Sequence, residues 1–202
     1  FCPVPCISIL CNEICPYRPL FYAPGGEKSR AAAGIEWRKG RKLYGKRWFG
    51  VVHIGIWEKD EGIFRAVRGA WEGNGRPYPH MVSGRYLAEF ETMRLDLLVV
   101  SPLAGEEQRP QGSARCRCLL LPGDAGPLGR QIESEYAVSY GTSPKDTLTF
   151  SSLEGDRASL ALQRELVTLE GRVVEEQELV LPFSARFPPK TWLAAVGVLL
   201  LC

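Results

Sequence analysis

Histidine is scarce in this chain. Two occur in 202 residues, His53 and His80. A site that needs several imidazoles is therefore excluded, and a nucleophile–base triad has few bases to draw on. The motifs of common catalytic centres are also missing: there is no G-x-S-x-G, no H-E-x-x-H and no G-x-x-x-x-G-K-[ST]. No N-x-S/T sequon occurs, so glycosylation gives no argument for secretion. Excess charge of one sign is lacking too, the formal net charge being +2, which points to no partner class. The apolar run from Trp192 to Cys202 falls short of the roughly 20 residues that span a bilayer. Nothing here supports an enzyme.

What is present is enough apolar material for a core, 45% of residues. Charge is unevenly spread. Eight Lys/Arg face one acidic residue between Lys28 and Arg47, whereas seven Asp/Glu face three Arg between Ser151 and Leu181. The run "WRKGRKLYGKRW" places Arg38, Lys39, Arg41, Lys42, Lys46 and Arg47 among Trp37, Tyr44 and Trp48. Cations attract phosphate and flat rings stack on bases or settle at a lipid interface. Weak polyanion or anionic-membrane contact is the functional expectation, and a solvated basic linker is the plain one. Paired carboxylates such as Glu106 with Glu107 fall at turns, where solvated charge explains them.

Seven Cys are present. Cys2, Cys6, Cys11 and Cys15 lie too close together for the separated pairs of a typical zinc site, which leaves two disulfides or ordinary thiols. Strand alternation sends Cys116 and Cys118 to one face and Arg117 to the other. No metal site is expected.

The chain divides into an irregular Cys/Pro-rich extension over 1–34, a basic-aromatic segment with one strand over 35–68, a β domain over 69–187 and an apolar tail over 188–202. "VVHIGIW" reads as a strand at 51–57, and "IFRAV" as a short helical turn. From residue 69 onward, short alternating segments recur between turns. "DTLTFSS" and "ASLALQ" form a hairpin with Leu148 and Phe150 opposite Leu160 and Leu162. This spacing predicts an all-β antiparallel meander, closed or nearly closed as a barrel of about eight to ten strands.

Gly69, Trp71, Gly73 and Gly75, followed by Tyr78 and Pro79, complete the barrel reading. The pattern G-x-W-x-G-x-G with Tyr-Pro after it resembles the first strand of calycin-type barrels, the lipocalin and fatty-acid-binding superfamily, and nitrobindin-like members above all. The resemblance covers eleven residues. It implies a barrel whose end is plugged by Trp71 and whose interior holds a small apolar or tetrapyrrole-like ligand. Those relatives hold haem through a histidine near the chain end. No histidine follows His80, so no cofactor is expected, with haem the alternative. Trp71, Tyr136, Tyr140, Phe150, Leu160 and Leu162 are the expected ligand-lining residues. Two other readings stand beside this non-enzymatic binding module. One is a β-sandwich protein–protein interaction domain, membrane-tethered through its tail. The other is a fragment with no self-contained function, suggested by the opening Phe1 and the abrupt apolar end. Location is open, with the intracellular side slightly favoured.

Overall fold

The computed structural model describes residues 51–60, 62–72, 78–106 and 110–202. The expectations for the N-terminal cysteines, the basic run 38–47, Gly73 and Gly75 lie outside them. Within them the chain forms a mixed α/β unit. An eight-stranded sheet has the order β10-β7-β6-β5-β4-β3-β1-β2. Its strands are β1 (His53–Trp57), β2 (His80–Gly84), β3 (Leu95–Val100), β4 (Ala114–Pro122), β5 (Ile132–Gly141), β6 (Leu148–Glu154), β7 (Arg157–Leu162) and β10 (Gln177–Pro182). A separate hairpin pairs β8 (Leu166–Val167) with β9 (Val173–Val174). The helices are α1 (Ile63–Trp71), the single turn α2 (Pro102–Gly105) and α3 (Pro189–Leu201).

This overturns the all-β antiparallel barrel, and with it the sandwich. β1 pairs in parallel with both β2 and β3, and the parallel run continues through β4, β5 and the first residues of β6. Only β6–β7 and β7–β10 are antiparallel within the large sheet. β2 and β10 stand at opposite ends of the strand order, so the sheet is open. The physical cause is legible in burial. Leu97 to Val100 on β3 and Cys118 to Leu121 on β4 are buried without alternation, because both faces of these strands are covered. One face carries α1 and α3, and the other carries α2 with 3-10 turns at Leu87–Phe90 and Gly126–Arg130.

Trp71 does not open a strand. Ile63, Ala66, Val67, Ala70 and Trp71 recur at helical spacing and are buried, which makes "IFRAVRGAW" one amphipathic helix ending at Trp71. Trp71 is 7% exposed there. The hairpin register agrees with expectation, Leu148 opposing Leu162 and Phe150 opposing Leu160. Cys116 and Cys118 correct the alternation argument. They belong to opposite cores, as do Leu95 and Leu97 on β3, and Ile132 and Tyr136 on β5. Three neighbouring strands thus change facing at one level of the sheet.

The apolar tail is α3, buried on nearly every side from Thr191 to Val198. A helix apolar all round belongs inside a core. Trp192 stacks on Phe150 at 5.8 Å and meets Phe183 edge-on at 5.5 Å. No helix among the described residues is long and apolar enough to cross a membrane.

Candidate functional site

The parallel strands β1, β3, β4 and β5 all end at one edge, the carboxyl edge. Open α/β sheets place ligands at this edge where the strand order reverses, which in this sheet falls between β1 and β3. Two buried carboxylates mark this edge, Glu58 after β1 and Asp146 before β6.

Glu58 is fully engaged. Oε2 accepts the N–H groups of Gly62 at 3.0 Å and Ile63 at 2.7 Å, while Oε1 accepts Phe64 N–H at 3.3 Å and Ser83 Oγ–H at 3.2 Å. The backbone groups among these are donors that the first turn of α1 leaves without intrahelical partners. Gly62 adopts φ 89°, the left-handed turn that brings the chain from Glu58 into the helix. The anion position at this helix N-terminus, where a phosphate would otherwise sit, is thus filled by the chain's own carboxylate. Ser101 does the same for α2, accepting Ala104 N–H at 3.1 Å. Near β2 this edge carries an exposed Arg85–Asp60 ion pair.

Asp146 differs. It is 4% exposed, yet one described donor reaches it, Ser143 N–H to Oδ2 at 3.1 Å. Oδ1 receives no hydrogen bond from a described residue. The loop around it is otherwise satisfied: Asp146 N–H donates to Ser143 O at 3.0 Å, and Thr147 N–H to Ser139 Oγ at 3.1 Å. The carboxylate sits against the ends of two adjacent strands. A Cβ on Gly123, after β4, would overlap Oδ1, and one on Gly141, closing β5, would overlap Oδ2. A side chain at either position would therefore displace the Asp146 carboxylate. β6 pairs with β5 only at Tyr140–Leu148 and Gly141–Thr149, so it begins where β5 ends and continues past the edge. Nearby, α3 starts at the same edge. Lys190 Nζ lies 3.1 Å from Asp124 Oδ2, just beyond β4.

The expected ligand-lining residues come together, but around α3. Trp71, Tyr140, Leu160 and Leu162 belong to one core with α3, and Tyr136 and Phe150 pack against it. Tyr140 Oη donates to Val100 O at 2.7 Å. Burial, then the neighbouring Cys118, raise the pKa of the Tyr136 hydroxyl. Burial pushes the Cys116 and Cys118 thiols up to about 12, leaving little thiolate at neutral pH.

At the opposite, amino edge, an open cleft of about 520 Å³ is lined by Glu91, Ser113, Arg115 and Glu133 among others. Its charges answer one another, with Arg115 Nε 2.6 Å from Glu133 Oε2 and Ser113 Oγ donating to Glu91 Oε1 at 3.2 Å. Also at this edge, His53 and His80 face each other across the β1–β2 register. Among the described residues no group of three or more His, Cys, Asp or Glu side chains converges to hold a metal ion. Reading residues singly missed Asp146, which stood only as the first residue of the hairpin segment "DTLTFSS". Its one signal was a glycine at the end of each of the two preceding strands, in "PGD" and "YGT". No protein-family model, curated protein or solved structure matches this chain.

Proposed function

We propose that this protein is a binding module for a small polar molecule, seated on the carboxyl edge of the sheet, with Asp146 as its acceptor. The observation that carries this reading is the carboxylate itself. Asp146 is 4% exposed and holds a single hydrogen bond, on Oδ2, while its Oδ1 keeps contact with solvent and stays open to an incoming donor. Glu58, at the same edge, has four donors. A carboxylate so held favours a ligand that brings its own donor, a hydroxyl or an ammonium group. The apolar-ligand expectation depended on a barrel interior, and α3 lies against the residues meant to line it.

The experiment is calorimetric titration of the full chain with polyols, nucleosides, amino sugars and small amines. Saturable one-to-one binding by one class, lost in Asp146→Asn while the circular dichroism spectrum is kept, supports the reading. Equal binding by the variant, or no binding by any class, removes it.

A further inference from the structure

We propose that His53 and His80 form a two-imidazole site for a divalent transition-metal ion at the amino edge of the sheet, with the Asp96 carboxylate beside His53. The sequence separates these two histidines, the only ones in the chain. The fold makes them direct partners, because β1 and β2 run parallel in the register His53–His80. Both side chains are exposed, so an ion and its waters have access.

Their ring centroids are 5.3 Å apart and the rings are tilted by 52°. Two imidazoles on one tetrahedral ion, with metal–nitrogen bonds of about 2.0–2.1 Å, put their ring centroids roughly 5 Å apart. The observed centroid separation matches the one that shared ligation would give. Imidazole nitrogen selects zinc, copper or nickel over magnesium and calcium, which prefer oxygen.

Asp96, on the next strand, supplies the supporting contact. Its Oδ2 accepts the His53 backbone N–H at 2.8 Å and lies 3.7 Å from His53 Nδ1. At that separation Asp96 is not a hydrogen-bond partner of Nδ1; it anchors the His53 backbone and sets a negative charge beside the imidazole, which favours a cation there. Asp96 is engaged in this way and is not a third ligand. Water completes the coordination of an ion bound by two side chains.

The test uses the full, reduced chain and zinc chloride, followed through the imidazole signals of a nitrogen-15 spectrum. Two histidines give two sets of signals, so thiol binding elsewhere in the chain does not confuse the reading. Both sets should shift together and saturate in a single step. In His80→Gln, the His53 shift should need at least tenfold more zinc. Asp96→Asn should keep both rings responsive while weakening binding by about tenfold. Imidazole signals that stay unmoved while thiols take up zinc would overturn the proposal. So would a His53 response unchanged in His80→Gln.

Discussion

Replacing each buried carboxylate by its amide separates the two roles claimed for them. In Glu58→Gln the shape is kept, but the first turn of α1 loses an anion. Oε2 of Glu58 holds the Gly62 and Ile63 donors, and Oε1 holds Phe64 and Ser83. A carbonyl can serve one pair, at neutral rather than charge-assisted strength. The new NH₂ then confronts the Phe64 N–H, leaving it orphaned. Charge-assisted bonds contribute about 1.5–3 kcal/mol against about 1 for neutral ones, and an orphaned buried donor costs about 1–3. The expected loss is about 3 kcal/mol, or roughly 6–12 °C in the melting midpoint of a domain this size. In Asp146→Asn the amide carbonyl keeps the Ser143 bond and a charge whose free oxygen meets solvent is removed. The expected change is small, within about 1 kcal/mol in either direction. Urea unfolding of both variants, at equal denaturant slope, measures the two numbers side by side. A loss above about 2 kcal/mol for Asp146→Asn would make that carboxylate structural and refute the reasoning. A neutral Glu58→Gln would refute the capping role.

Other consequences are independent of that pair. Trp71→Ala should cost about 3–5 kcal/mol by truncating a buried ring at the end of α1, and thermal melting checks it. Gly197→Ala would bring a methyl group to 2.9 Å from Leu120 Cδ2 and 3.0 Å from Leu148 Cδ1, overpacking α3 against the sheet. It should cost about 1–3 kcal/mol by the same assay. Cys116 and Cys118 have thiols raised from 9.0 to about 12 in the folded state. Their contribution to stability is complete below the unfolded value near 9 and falls as pH climbs toward 12, because the unfolded chain releases those protons first. Unfolding midpoints from pH 8 to 11 should therefore decline less steeply in Cys118→Ala than in the parent. For the basic run, neutralising Arg38, Lys39, Arg41 and Lys42 together should flatten the salt dependence of duplex-DNA binding by about three to four units. An unchanged slope would make the run ordinary solvated charge.

Local elements were readable in the sequence, whereas their connection was not. β1 lies within "VVHIGIW", and the β6–β7 hairpin follows its own alternation. Parallel pairing was missed because the crossovers are small. β2 reaches β3 through a 3-10 turn at Leu87–Phe90, β3 reaches β4 through the single turn α2, and β4 reaches β5 through Gly126–Arg130. Such connections resemble the loops of a meander, and they lack the long helices that usually announce parallel strands. The continuous apolar runs at Leu97–Val100 and Leu119–Leu121 were the surviving signal of strands covered on both faces. Glycines around Trp71 suggested a bending strand, yet the 3.6-residue recurrence of Ile63, Val67 and Trp71 was the stronger pattern. Asp146 and the histidine pair depend on register between distant segments, which no single-residue reading supplies.

The central claim is that ligands meet this protein at Asp146 on the carboxyl edge. Amide chemical-shift mapping of the full chain against a library of small hydroxyl- and amine-bearing compounds tests it most directly. The account predicts saturable shifts concentrated at Gly123, Asp124 and Gly141 to Thr147, abolished in Asp146→Asn. Shifts gathered instead at the amino-edge cleft of Glu91, Arg115 and Glu133, or unchanged by Asp146→Asn, would contradict it.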